Sequence, residues 1–143
     1  MSKSKTFEND LLKLIFNGTP ISGLADNAGA GPLTNLYMAL HTADPGETGN
    51  QSTSEVNYGG YQRIAVLRSP SGWTVNASAV SPTVAVEFNE MLSGTPGTAT
   101  YATVGTAATG AGKVLYRGAL TPAIAYNVGS VPRLRTTSTI TED

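Results

Sequence analysis

The chain has 143 residues, with nine basic and ten acidic side chains, one histidine and no cysteine. That length suits one domain with its own core, and the absence of cysteine excludes disulfides and thiolate metal sites. A net charge of −1, with 13% of residues charged against about 25% in an average domain, gives no electrostatic footprint for nucleic acid or an anionic membrane, and no apolar run approaches the ~20 residues that span a bilayer.

The first predicted element is a helix over 6–17. Thr6 is placed to cap it, Glu8 and Asp10 favour its positive end, and Phe7, Leu11, Leu14 and Ile15 recur on one face. Gly18, with Pro20 beyond, should stop it. Leu12 and Phe16 lie off that stripe, so cover on a second side is expected. The segment before it carries Lys3 and Lys5, and the short apolar stretch contains Lys13, unlike a secretory leader. Residues 18–34 read as loop, because Gly, Pro, Ser and Asp-Asn follow one another quickly.

From residue 35 the period changes to two. Leu36–His41 reads as a buried strand, and 43–60 as a long polar loop of the kind that is usually functional or mobile. Further strands are predicted at 61–68, 73–79, 83–88, 98–104, 113–117, 123–128 and 132–140, with Val84, Val86 and Phe88 on one face, or the reverse set if the register slips. The expected fold class is all-β: an antiparallel jelly roll or β-sandwich of about seven or eight strands with a short N-terminal helix. An arm, helix and loop over 1–34 and a β-sandwich over 35–143 should form one compact domain overall.

Little in the sequence carries chemistry. His41 is the one imidazole, and nearby Asp44 more naturally starts the Asp-Pro-Gly turn than orients a triad. A histidine at a strand end, satisfied by backbone or water, is the expected reading. Gly110-Ala-Gly-Lys113 resembles part of a phosphate loop, but Ala107 and Val114 stand where that motif needs Gly and Ser or Thr, so a hairpin turn is expected. The acidic residues form no metal-binding ladder, and solvated positions explain Glu87 and Glu90. Sequons at Asn17, Asn50 and Asn76 match as chance would have it in a Ser/Thr-rich chain. Arg133 and Arg135 fall two apart on the last strand, which suits either contact with an acidic surface or an edge guarded by charge. Trp73 and the six tyrosines are spread along the chain, which favours core packing over a sugar-stacking platform. No catalytic, cofactor-binding or metal-ligating residue is expected, and no cofactor.

The block Asn35–Gly49, which includes Leu36-Tyr-Met-Ala-Leu-His-Thr-Ala-Asp-Pro-Gly-Glu-Thr-Gly49, resembles a family of small virion proteins of tailed bacteriophages. So do Gly59-Gly-Tyr-Gln-Arg63, the strand ending Glu87-Phe88, and Leu115-Tyr-Arg-Gly-Ala-Leu120. The resemblance covers about residues 35–135. Members are often labelled tail fibre proteins, and the small cysteine-free β chain is also similar to jelly-roll capsid cement proteins. The resemblance implies a structural protein of the virion, not an enzyme, made in the host bacterial cytoplasm. The expected role is a decoration protein that stabilises the capsid exterior. Its partners would be the major capsid protein and copies of itself as dimer or trimer. A tail or fibre component and a carbohydrate-binding module are the alternatives. Expected partner contacts are Lys3, Lys5, Leu12, Phe16, Pro45, Glu47, Arg133 and Arg135.

Overall fold

The computed structural model describes residues 3–21, 24–25 and 32–142. The loop expected over 18–34 therefore lies partly outside the described residues. Helix α1 spans Lys5–Leu12 and runs directly into a π-helical turn, Lys13–Asn17. Ser4 caps it in place of Thr6: its hydroxyl oxygen accepts from the Phe7 N–H at 3.3 Å, which satisfies one orphan donor of the first turn. Gly18 ends the helical segment in the left-handed conformation at φ 66°, where glycine has no Cβ to clash.

Among the described residues nine strands follow: β1 Asn35–His41, β2 Ile64–Leu67, β3 Trp73–Asn76, β4 Ala79–Pro82, β5 Val86–Glu87, β6 Gly97–Gly105, β7 Val114–Tyr126, β8 Arg133–Leu134 and β9 Ile140–Thr141. They order as β2-β1-β6-β7, β3-β4-β9 and β5-β8. The strands pair antiparallel, as in β1–β6, β3–β4 and β6–β7. The class is thus the expected one, mostly β with one short helix, and the sheets stay open.

The chain falls into two compact units. The first comprises residues 1–35, 66–85 and 135–143, so α1 shares a unit with β3, β4 and β9. Its core is Leu12, Phe16, Trp73 and Val80, each no more than 1% exposed. The Phe16 and Trp73 rings meet edge-on, with centroids 4.7 Å apart. This contact sets the helix's buried stripe at Glu8, Leu12 and Phe16, while Phe7 is 38% exposed and Leu11, Leu14 and Ile15 are half-buried. The periodicity of apolar residues alone picks the wrong stripe, because it cannot count a buried Glu8 whose carboxylate meets Lys5 Nζ at 3.0 Å. Arg68 closes the helix end: Nε donates to the Ile15 carbonyl at 2.6 Å and Nη2 to that of Leu14 at 2.5 Å, taking up C-terminal carbonyls that have no intrahelical partner.

The β3–β4 hairpin pairs Trp73 with Pro82 and Asn76 with Ala79. Its turn uses Ala77 at φ 54° and carries no glycine, so the sequence gives no turn signal there and β4 goes unread. The strand expected at 83–88 shrinks to β5, and Val84 is 69% exposed while Val86 and Phe88 are buried. The strand expected at 132–140 survives only at its ends, as β8 and β9. A turn closed by Ser138 N–H on the Arg135 carbonyl at 3.0 Å interrupts it.

The second unit comprises 36–65 and 86–134. Here β1 pairs with β6 from Tyr37↔Gly105 to His41↔Tyr101. The strands expected at 113–117 and 123–128 are one element, β7, which slips register opposite Ala99 and Tyr101. Pro122 does not break it, because residues 120–123 fall in that slip, between the Tyr101↔Ala119 and Ala99↔Ile124 pairs, where no ladder bond needs its N–H.

Candidate functional site

The motif residues of the second unit converge on the loop 42–63. The loop opens with an Asp-Pro-Gly turn, in which the Gly46 N–H donates to Asp44 Oδ1 at 2.9 Å. Arg117, on β7, reaches the same carboxylate through Nη1 at 2.7 and 2.5 Å, and Glu47 lies 4.0 Å from its Nη2. The Gly46 N–H first, then Arg117, hold the Asp44 carboxyl below the usual carboxylate range. The loop then turns at Asn50–Thr53, with Asn50 Oδ1 accepting from the Ser52 N–H at 2.9 Å. It returns alongside β1, through Thr42 N–H to the Ser54 carbonyl at 2.8 Å and Val56 N–H to the Leu40 carbonyl at 2.9 Å.

Two buried side chains fasten this return. Arg63 meets Glu55 in a fork, Nε to Oε1 and Nη2 to Oε2, both at 2.7 Å. It also donates from Nη1 to the Ala107 carbonyl at 3.0 Å and from Nη2 to that of Gly110 at 2.7 Å. The guanidinium thus ties the loop to the β6–β7 hairpin, and the Glu55 carboxylate raises its already high pKa. Gln51, fully buried, accepts from the Ala107 N–H at 2.9 Å through Oε1. It fits because Gly105 and Gly112 have no side chain: a Cβ on either would come within 2.1 Å of the Gln51 side chain.

His41 is fully buried, its Nδ1 2.8 Å from the Thr53 carbonyl and its Nε2 2.9 Å from Thr103 Oγ1. A carbonyl only accepts, so Nδ1 carries the proton and the neutral ring accepts the Thr103 hydroxyl. Burial is the main cause that lowers its pKa below 6.5. The hydroxyl–imidazole distance suits nucleophile activation. Both groups are sealed from solvent, however, with Thr103 1% exposed, so no substrate reaches them. The satisfied strand-end histidine is the arrangement found.

Beside the clamp lies an open pocket of about 600 Å³, lined by Ser52, Glu55, Val56, Asn57, Tyr61, Gln62, Arg63, Ala108, Thr109 and Gly110. Tyr61 stacks on Phe88, with centroids 6.1 Å apart and planes 5° apart, and its hydroxyl accepts from the Leu40 N–H at 2.9 Å. Burial pushes the Tyr61 pKa well above the tyrosine range. Tyr58 joins Tyr61 and Tyr126 at 5.3 and 5.5 Å. The tyrosines are therefore partly clustered, contrary to the sequence reading, though Tyr58, Phe88 and Tyr126 are buried. Trp73, 1% exposed, offers no stacking face to solvent.

The expected partner contacts divide. Leu12, Phe16 and Pro45 are buried, so their side chains have no surface to offer; they pack the protein's own core. Lys3 pairs with Glu142 at 3.3 Å, and Lys5 with Glu8. Glu47 is exposed near Arg117, Arg133 pairs loosely with Glu87 at 3.6 Å, and Arg135 is exposed. Gly110-Ala-Gly-Lys113 forms the hairpin turn, with its Gly110 carbonyl aimed at a guanidinium, the reverse of a phosphate cradle. Among the described residues no group of three or more His, Asp or Glu side chains is placed to hold a metal ion, and no helix is long and apolar enough to cross a membrane. Sequence reasoning missed Gln51, Arg63 and Arg117. The signal for the two arginines was present, since both lie inside the motifs that carry the phage resemblance.

A family model described as "Podophage GP4 fiber I protein gp80" matches residues 2–141. No curated protein matches the chain.

Proposed function

We propose a function that starts from membership: the chain belongs to the podophage GP4 fiber I protein gp80 family and is a phage virion protein, and within the virion we assign it to the tail as a structural fibre subunit. The observation that carries this reading is the family match over nearly the whole chain, 2–141. The geometry supports it. The motif residues build a rigid scaffold for loop 42–63, and the one nucleophile–base pair described above is sealed in the core.

Assembly with further copies of the chain or with neighbouring virion proteins is supported by exposed apolar side chains. In the second unit Leu92, Val128 and Val131 are 66%, 60% and 50% exposed. They flank the pairing of Met91 with Gly129 and Ser130, so they form a patch and not isolated positions. Covering such a patch by a neighbouring subunit is favourable by roughly 25 cal/mol per Å² of apolar area.

Counting copies per purified virion tests the location. A tail subunit is expected at about six to a few dozen copies, set by the few equivalent sites of a tail. Hundreds of copies, as the many sites of a closed shell require, would replace this reading with the capsid-cement one, whose partner is the major capsid protein.

A further inference from the structure

We infer that the pocket beside the Arg63–Glu55 clamp is a binding site for a neutral saccharide. The site stands apart from the assembly role and belongs to the chain wherever the subunit sits.

Charge comes first. The pocket contains one cation and one anion, and they neutralise each other: both carboxylate oxygens of Glu55 accept from Arg63 at 2.7 Å. Further guanidinium donors go to the Ala107 and Gly110 carbonyls and to Ser52 Oγ. No net positive charge is left for phosphate or a carboxylate ligand. No uncompensated negative charge is left for a cation.

The walls supply what a neutral polyhydroxyl compound needs. Asn57, Gln62 and Thr109 are exposed around the pocket. Among the described residues their side chains make no hydrogen bond to protein. Two carboxamides and a hydroxyl both donate and accept, which matches sugar hydroxyls that do the same. The half-buried Tyr61 ring adds apolar surface for the C–H face of a sugar ring. Tyr61 is held by Phe88 against its ring and by the Leu40 N–H on its hydroxyl, and the backbone around it by the clamp, so little ordering is required on binding. The volume of about 600 Å³ falls in the range of small-ligand sites, about 300–1,000 Å³. A peptide is the less suited occupant. Extended peptides are captured by regular main-chain pairing along a strand edge, whereas here the unoccupied groups are side-chain amides and a hydroxyl around a concavity.

The test is NMR titration of the isotope-labelled full chain. The probes are neutral hexoses, deoxyhexoses, N-acetylhexosamines and their short oligomers, with inorganic phosphate and a neutral Gly/Ser peptide beside them. The expected result is saturable shifts of the Asn57 and Gln62 side-chain amides and the Thr109 backbone amide with at least one saccharide, at a Kd of about millimolar or tighter, and none with phosphate. The double variant Asn57→Ala/Gln62→Ala should lose binding at least about tenfold while keeping the wild-type melting temperature, since both residues are exposed. Silence across the saccharide panel, shifts confined to another surface, or a response to the peptide alone would overturn the inference. If the double variant melts early, Thr109→Ala and Gln62→Glu singly must still weaken binding. Unchanged affinity in both would equally overturn it.

Discussion

His41 is a residue whose chemistry has been turned inward. Its neutral form is held by a carbonyl on one nitrogen and a hydroxyl on the other, and its folded pKa lies below 6.5. The unfolded chain takes up a proton near pH 6.5 that the folded one resists. Stability is therefore full above that pH and falls as pH drops through and below it, by at most about 1.4 kcal/mol per pH unit for one group. Urea melts between pH 7.5 and 5 should show this slope, and His41→Gln, though less stable at pH 7.5, should flatten it. Arg63 makes a second prediction at this scale. Its side chain is 3% exposed, so Arg63→Met leaves Glu55 unpaired and two carbonyls without donors, at a cost of about 3–5 kcal/mol. Adding Glu55→Gln to that variant should recover part of the loss in a denaturant melt. These roles were only half legible beforehand. The sequence shows that His41 lacks triad partners. The acceptors of Arg63 lie 44 and 47 positions further on, at Ala107 and Gly110, and no local pattern joins positions that far apart.

At the scale of elements, legibility followed the turn chemistry. β1 and β6 lie where alternation places them, bounded by glycine, proline and polar residues. The β3–β4 hairpin escaped because an alanine occupies the left-handed turn position. That residue carries a cost of roughly 1 kcal/mol that glycine does not. Ala77→Gly should accordingly be neutral or stabilising by up to about 1 kcal/mol, the opposite of Ala→Gly within a strand, and a thermal melt distinguishes the two signs. The β6–β7 hairpin makes the complementary case. Gly105→Ala places a methyl group 2.1 Å from Gln51 Cδ, and the buried Gln51 has no room to retreat, so a loss of about 1–3 kcal/mol is expected. In a Gln51→Ala background the same change should cost far less, giving a coupling energy in a double-mutant cycle. Equal costs in both backgrounds would mean that the glycine serves the turn alone. The helix shows the limit of periodicity: its buried stripe is set by Trp73, which is far away in sequence.

For the whole molecule, the low charge fraction takes on a specific meaning. The chain is close to neutral, with a sequence pI near 5.7, and it exposes Val84, Leu92, Val128 and Val131. Near-zero net charge and apolar patches both favour association. Sedimentation velocity should show self-association that rises with concentration and is strongest near pH 5.7, and Leu92→Lys/Val128→Lys should reduce it. A monomer at all concentrations would argue that the patch meets another virion protein. The virion class was legible because the family blocks are dense in residues that build the scaffold. The pocket was not legible, because it is assembled from two loops that meet only in the folded chain. The aromatic residues, finally, are partitioned: the one tryptophan lies in the first unit and all six tyrosines in the second. Each unit therefore carries its own optical reporter. Tryptophan emission follows the Phe16–Trp73 core, and near-ultraviolet tyrosine signals follow the clamp and its sheet. Coincident melting of the two signals would identify a single cooperative folding transition, and separated midpoints would reveal which unit gives way first, without a label or a mutation.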